Sequence, residues 1–175
     1  MSKVIVIGSQ KGGVGKTTTT LNLAYSLCSM GKKVLAIDLD SQANLGTCYG
    51  IENTKDLEYT MGHLLMAQIE EEEPEELEHY IQSKDGVDFI PSSIYLSAVE
   101  AKLRTEMGAE RMLAEVLAPI RDRCSYNQIG GRSIIMQIGF YRFFCFRWIR
   151  LKFQKMKEDY LFLKPWQIIS SIVYF

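Results

Sequence analysis

The sequence has 175 residues, of which 47% are hydrophobic and 23% are charged, so it suits one soluble globular domain with a buried core. Its four cysteines show no C-x-x-C spacing and no secretory signal precedes them, which argues against a disulfide framework and favours reduced thiols in the cytoplasm. The formal net charge of −1 conceals an asymmetry, because residues 1–120 hold 10 Lys+Arg and 18 Asp+Glu whereas residues 121–175 hold 10 and 3.

The first elements in chain order form a strand–helix–strand pattern. A short β-branched apolar run, Lys3–Gly8, predicts a buried parallel strand. The residues that follow predict a helix from Lys16 to about Met30, ended by Gly31, and a second buried strand over Val34–Ile37. This unit is typical of a doubly wound, mostly parallel α/β sheet flanked by helices, in which a nucleotide lies at the carboxyl ends of the strands.

The middle of the chain alternates loops, helices and one further strand. Asn44–Asp56 is expected to be a loop, and the acidic block Glu70–Glu76 a solvated loop and helix start, with an acidic docking surface as the alternative. Val87–Ser93 predicts a third strand, closed by its proline. Two single histidines, His63 and His79, have no predicted partners and receive no metal or catalytic role. Helices are predicted over Thr60–Ile69, Leu77–Ile81, Ser93–Leu103 and Glu106–Leu117.

A glycine-rich segment, Gln10–Thr18, stands between the first predicted strand and the first predicted helix. Its glycines let backbone N–H groups converge on phosphate oxygens, and the helix start adds the positive end of its dipole. In such a phosphate-binding loop Lys16 would reach the β- and γ-phosphates of a nucleotide, and the Thr17 hydroxyl would bind Mg²⁺. The motif departs from G-x-x-x-x-G-K-[ST], because Gln10 stands at its first glycine and a second lysine, Lys11, follows.

Three segments carry a resemblance to a known family. Lys11–Thr18 resembles the deviant P-loop of the ParA/Soj (ParA/MinD) family of ATPases. Val34–Asn44 resembles that family's second strand and switch I, usually D-x-D-P-Q-x-N, with Ser41 where proline is commoner. Val87–Ser93 resembles the family's third strand, which ends in Pro-Ser. The resemblance covers residues 1–123 and implies the fold of a P-loop NTPase.

The resemblance also implies a reaction, in which water attacks the γ-phosphate of ATP in the presence of Mg²⁺ and gives ADP and phosphate. Three catalytic roles follow from it: Lys16 neutralises phosphate charge, Asp40 orients or activates the water, and Lys11 reaches the nucleotide of the opposite subunit. Asp38 is expected to support the metal shell together with Thr17. The residues expected to bind the nucleotide are Lys11, Gly12, Gly13, Val14, Gly15, Lys16, Thr17 and Thr18.

The partners implied by the resemblance are those of chromosome or plasmid partitioning. They are a second copy of the chain, in an ATP-dependent homodimer, a ParB-like protein and non-specific DNA. The implied location is the cytoplasm, in association with the nucleoid. One alternative function is that of a MinD-like ATPase, which places the division site and has a membrane-binding tail. The other is a non-enzymatic, truncated fragment that lacks Walker B.

Residues 124–175 do not match the family, whose fourth strand has the form h-h-h-h-D-x-P-P and carries the Walker B aspartate. In this sequence no aspartate follows Asp122 until Asp159, and no Pro-Pro occurs. We therefore divide the chain into a ParA-like nucleotide-binding domain, residues 1–123, and an unassigned basic aromatic tail, residues 124–175. The sheet is accordingly expected to be truncated after its third strand.

Three interpretations of the tail stay open: peptide translated after a frameshift near Cys124, a basic membrane-surface helix over Tyr141–Lys157, and a nucleic-acid contact made by arginines and aromatics. Its arginines argue against an ordinary transmembrane span. One apolar, β-prone run, Ser133–Ile138, is expected to pair beside Val4–Ile7, whose backbone groups would otherwise be unpaired in the interior.

Overall fold

The computed structural model describes residues 4–8, 12–106, 112–113, 115–119, 133–138 and 160–163. Its strands are β1 Val4–Gly8, β2 Val34–Leu39, β3 Gln82–Lys84, β4 Val87–Ile90, β5 Ser133–Ile138 and β6 Tyr160–Leu163. Its helices are α1 Lys16–Ser29, α2 Asn44–Cys48, α3 Met61–Glu70, α4 Leu77–Tyr80 and α5 Tyr95–Leu103, with a 3₁₀ turn at Thr54–Asp56. Residues 112–113 and 115–119 are also helical.

The strands form one six-stranded sheet in the order β3-β4-β2-β5-β1-β6. All neighbouring strands are parallel except β3 and β4, which are antiparallel. Helices cover both faces of this sheet. The predicted fold class, a doubly wound, mostly parallel α/β sheet flanked by helices, is confirmed.

Strand β5 lies in the centre of the sheet, between β1 and β2. It pairs with all five residues of β1 and with all six residues of β2. The predicted pairing of Ser133–Ile138 beside Val4–Ile7 is therefore confirmed, and the expected truncation of the sheet after its third strand is wrong. The physical reason is that, without β5, the facing edges of β1 and β2 would leave backbone N–H and C=O groups unpaired in the interior.

The two faces of the sheet carry separate apolar cores, because alternate residues of a strand point to opposite faces. One core packs the sheet against α3 and α5. Its buried members from the central strands are Val6, Leu35, Ile37, Leu39, Ile134 and Met136. The other core packs the sheet against α1 and α2. Its buried members from the central strands are Ile7, Val34, Ala36 and Ile135.

Helix α1 is bounded by glycines in the left-handed conformation, Gly15 with a φ of 82° and Gly31 with a φ of 74°. At its end the Gly31 N–H donates to the Cys28 carbonyl at 2.9 Å, and the Lys32 N–H donates to the Leu27 carbonyl at 3.0 Å. These two bonds are those of a Schellman cap, which favours glycine at this position. The predicted end of the helix at Gly31 is confirmed.

Two segments differ from the expectation, and both are short. Asn44–Asp56, expected to be a loop, contains α2 and the 3₁₀ turn, and neither is long enough to give a periodic apolar signal. Strand β3 was not predicted, because its residues are polar and exposed or half-buried. It forms by pairing with β4 across Asp85 and Gly86, whose φ angles of 50° and 80° are those of a tight hairpin turn.

The other predicted elements agree with the structure. The helices predicted over Thr60–Ile69, Leu77–Ile81 and Ser93–Leu103 correspond to α3, α4 and α5, and the strand predicted over Val87–Ser93 corresponds to β4. Residues 71–76, in the acidic block, are exposed. Part of the helix predicted over Glu106–Leu117 lies outside the described residues, as does the whole of 139–159, which includes the segment considered as a membrane-surface helix. No helix within the described ranges is long and apolar enough to cross a membrane.

Candidate functional site

The glycine loop leads from the carboxyl end of β1 into α1. Gly13 and Gly15 have φ angles of 69° and 82°, a region that other residues adopt only with strain. Apart from the chain neighbours of each glycine, no heavy atom of the described residues lies within 4 Å of a Cβ placed at Gly12, Gly13 or Gly15, so these residues leave the space beside the loop open. The first turn of α1 also has free backbone N–H groups and the positive end of the helix dipole. The loop therefore offers an open anion-binding surface.

Lys16, the first residue of α1, forms an ion pair across the edge of the sheet. Its Nζ lies 3.6 Å from Oδ2 of Asp40, which follows the carboxyl end of β2. The two side chains are only 10% and 12% exposed. The pair brings the lysine predicted to contact phosphate together with the aspartate predicted to orient water.

Asp38 is fully buried in β2 and fixes the segment that follows this strand. Its Oδ1 accepts the backbone N–H of Asp40 at 3.0 Å, and its Oδ2 accepts the backbone N–H of Leu45 at 3.3 Å. Burial raises the pKa of Asp38 to about 8, although the two N–H donors and the Lys16 charge oppose this shift. Asp38 thus ties β2 to α2 within a span of seven residues.

The segment between β2 and α2 is a tight turn built around Asp40. Its Oδ1 accepts the backbone N–H of Gln42 at 3.1 Å, and its carbonyl accepts the N–H of Ala43 at 2.9 Å. Ala43 is buried, and its φ of 52° turns the chain into α2. Since Asp40 is held by this turn and by Lys16, its carboxylate has a defined direction.

The remaining predicted site residues are distributed along the loop. Thr17 is half-buried in the first turn of α1, whereas Thr18 is exposed. Gly12 is exposed and Val14 half-buried. Lys11, predicted to act across a dimer, lies outside the described residues. Its role therefore stays a prediction.

Further polar side chains are buried near the same edge and were not singled out from the sequence. Ser92 and Ser93 follow β4, and Gln137 lies in β5; all three are buried. Glu100, on α5, has an Oε1 that is buried without a hydrogen-bond partner among the described residues. Burial raises the pKa of the Glu100 carboxyl; the charge of Arg104 lowers it and that of Asp40 raises it. A polar residue inside an apolar strand, such as Gln137, is the sequence signal that could have drawn attention to this group.

The residues present fit a nucleoside triphosphate with its Mg²⁺. The open glycine loop, the helix start and Lys16 suit phosphate oxygens. In the part of the chain that the structure describes, no three His, Cys, Asp or Glu side chains form a metal-binding group. Mg²⁺ at nucleotide sites commonly takes only one or two carboxylates besides phosphates and water, so the Thr17 hydroxyl with one carboxylate of this edge, Asp38 or Asp40, would suffice to hold it.

The fold and this site define a P-loop nucleotide-binding protein. A family model described as an AAA domain matches residues 2–129, and the chain belongs to that family. An uncharacterized protein of Mycobacterium tuberculosis is 39% identical over 128 residues, covering 71% of this chain and 38% of the relative. The sporulation initiation inhibitor protein Soj of Bacillus subtilis is 34% identical over 128 residues, covering 72% of this chain and 48% of Soj. The resemblance to ParA/Soj P-loop ATPases is thereby confirmed.

Solved structures are also similar to this chain. Cobyrinic acid a,c-diamide synthase from Mycobacterium smegmatis, with bound ADP and magnesium, superposes with a TM-score of 0.66 at 27% identity over 79% of this chain and 51% of the synthase. The structure of pNOB8 ParA bound to nonspecific DNA gives a TM-score of 0.60 at 28% identity over 85% of this chain and 50% of that chain. The chain spans 38 to 48% of the length of the first curated relatives that it matches.

Proposed function

We propose that this chain binds Mg·ATP in the loop Lys11–Thr18 as a ParA/Soj-type ATPase of chromosome or plasmid partitioning. The observation that carries the proposal is the 3.6 Å ion pair between Lys16 and Asp40. It joins two of the three segments that carry the family resemblance, the loop Lys11–Thr18 and the segment Val34–Asn44. A glycine turn that binds no nucleotide does not require a lysine and the aspartate of switch I, Asp40, to lie together at the edge of the sheet.

Each residue of the site has a task that follows from its position. Lys16 exchanges its contact with Asp40 for phosphate oxygens and neutralises their charge. Asp40, still held by the Gln42 N–H, is then free on its other oxygen to orient a water molecule. Asp38 keeps this turn in place through its two backbone hydrogen bonds. The Thr17 hydroxyl is the ligand that the loop offers to Mg²⁺, which when bound supplies further neutralisation of the phosphates.

The assembly proposed for the chain is an ATP-dependent homodimer, in which Lys11 reaches the nucleotide of the other subunit. A ParB-like protein and non-specific DNA are its proposed partners, and the nucleoid is its proposed location. The structure of a relative, pNOB8 ParA, bound to nonspecific DNA supports the second partner. Residues 1–123 are the proposed nucleotide-binding domain, to whose sheet the segment 124–175 adds β5 and β6.

A titration with a fluorescent ATP analogue in the presence of Mg²⁺ tests the proposal. Lys16→Ala is expected to weaken binding by at least about tenfold, because the lysine contacts its own nucleotide through charge-assisted bonds. Lys11→Ala is expected to weaken binding less in the monomer, because this lysine acts across the dimer. Lys32→Ala, at an exposed position beyond the end of α1, is the matched control. Equal affinities for the wild type and Lys16→Ala would refute the assignment of the loop.

A second candidate function is nucleotide binding with little turnover. The observation that favours it is the composition of the central strand. P-loop enzymes hold Mg²⁺ with a Walker B aspartate, whereas β5, which pairs with the strand that enters the P-loop, contains no carboxylate. On this account the site binds Mg·ATP, and hydrolysis is slow.

A further inference from the structure

Gln137 is a buried polar residue of β5 that has no task in the function proposed above. It is 0% exposed, and neither Oε1 nor Nε2 of its side chain has a hydrogen-bond partner among the described residues. A buried amide without partners is costly, and buried polar groups in folded proteins are nearly always paired. Neither polar atom of this amide is paired among the described residues, so both are available to a bound ligand.

The register of the sheet determines where this amide lies. Gln137 pairs with Ile7 of β1 and with Asp38 of β2. Paired residues project from the same face of a sheet, and Ile7 belongs to the core that packs against α1. Gln137 thus lies between the strand that enters the glycine loop and the strand that carries the switch aspartates. It is on the face covered by the helix that begins with Lys16.

The chemistry of an amide suits this place. Its oxygen is a hard, neutral acceptor, which can bind the water molecules that Mg²⁺ retains at nucleotide sites. A carboxylate here would add a buried negative charge to an edge of the sheet that already holds the carboxyl groups of Asp38 and Asp40. Glutamine can accept a hydrogen bond without that additional charge.

Building on the function proposed above, we propose that Gln137 is a positioning residue of the nucleotide site. Its amide oxygen orients the water shell of the Mg²⁺ that accompanies the nucleotide, a task for which P-loop enzymes use a Walker B aspartate. Because the amide is neutral, it holds the metal less tightly than a carboxylate does. Groups that act on a metal through its bound ligands commonly change metal affinity by about 10- to 100-fold.

Two variants of the same side-chain length test this inference in the full chain. Gln137→Met removes both polar atoms, and Gln137→Glu adds a charge. The affinity for a fluorescent ADP analogue is measured with Mg²⁺ and without it. The ratio of the affinity with Mg²⁺ to the affinity without it reports the contribution of the metal. Gln137→Met is expected to reduce this ratio about tenfold and Gln137→Glu to raise it about tenfold, with the Mg²⁺-free affinity of Gln137→Met unchanged. Thr20→Val removes a buried hydroxyl on α1 that also has no hydrogen-bond partner among the described residues, and it should leave the ratio unchanged.

Thermal unfolding without nucleotide separates this role from a structural one. Gln137→Met should unfold at the wild-type temperature or above, because it removes an unpaired buried amide. If Gln137→Glu does not fold, the affinity ratio of Gln137→Met alone tests the inference. An unchanged ratio in a folded Gln137→Met protein that still binds ADP overturns the inference and leaves the proposed function intact. A wild-type protein that binds no ADP under either condition overturns the proposed function, and this inference with it.

Discussion

At the scale of single residues, Asp38 links the central sheet to the segment that carries Asp40. Both of its carboxylate oxygens accept backbone N–H groups, from Asp40 and from Leu45. A carboxylate so engaged gives the turn its shape before any ligand arrives. We infer that Asp38 supports the site mainly by fixing this turn, and its expected part in the metal shell stays a prediction.

The protonation of Asp38 gives a pH-dependent prediction for the nucleotide-free protein. Burial raises its pKa to about 8, above the value of about 3.9 in an unfolded chain, so the folded state binds more protons between these limits. The stabilisation linked to this proton is full below about pH 4 and is lost as the pH rises to about 8. The difference in unfolding free energy between the wild type and Asp38→Asn should therefore fall with pH, by an amount on the order of a few kcal/mol.

Urea denaturation of both proteins at several pH values between 4 and 9 measures that difference. Glu52→Gln removes a carboxylate from an exposed position and controls for the change of net charge. A difference between wild type and Asp38→Asn that is constant with pH, or that grows as the pH rises, would contradict the assigned shift.

At the scale of elements, β5 completes the centre of the sheet. It lies in register with β1 and β2 on its two sides, and its Ile135 is fully buried in the core beneath α1. The backbone groups of both neighbouring strands depend on it. The stability of the domain should therefore depend on a segment that the family resemblance did not cover.

Ile135→Ala tests the contribution of β5 to the core. It is expected to lower the free energy of unfolding by about 2–5 kcal/mol, because it removes a buried side chain and leaves a cavity. Ile94→Ala is the matched control, since Ile94 is 56% exposed and its truncation should change the stability by about 0.5 kcal/mol or less. Chemical denaturation of the two variants measures both effects, and an Ile135→Ala protein as stable as Ile94→Ala would show that β5 is not in the sheet.

How far the sequence predicts an element depends on whether its signal is local. The β1–α1–β2 unit was predictable because its strands are buried apolar runs and a glycine ends its helix. The position of β5 was predictable because β1 needed a partner. Strand β3 was not predictable, because Gln82–Lys84 becomes a strand only through its pairing with β4.

The candidate site, too, was predictable only in part. The glycine-rich loop indicated Lys16 and the family resemblance implied Asp38 and Asp40, and the structure brings Lys16 to Asp40. The bond from Leu45 to Asp38 could not be foreseen, because it depends on Ala43 turning the chain into a short helix. The lack of a hydrogen-bond partner for the Gln137 amide among the described residues could not be foreseen either, because it depends on the side chains that pack around β5.

At the scale of the whole molecule, the site combines a complete phosphate-binding loop with a central strand that lacks a carboxylate. We expect ATP to bind but to be hydrolysed slowly. Losing one charge-stabilising group commonly lowers turnover by on the order of 10²–10³. Phosphate release, measured with DNA and a ParB-like protein present and beside Bacillus subtilis Soj, should be lower by about this factor. Turnover equal to that of Soj and abolished by Asp40→Ala would show that the chain completes its site by other means.

We propose that Mg·ATP binds at the carboxyl edge of a sheet that β5 completes. Amide hydrogen exchange with and without saturating Mg·ATP tests both parts of this claim, because it reports local opening along the chain. We expect slow exchange over Ser133–Ile138 without nucleotide, since this strand is paired on both sides. We expect Mg·ATP to slow exchange in residues 12–20 and 38–45, and Lys16→Ala to abolish that change. Fast exchange in Ser133–Ile138, or protection by Mg·ATP confined to other parts of the chain, would contradict the account.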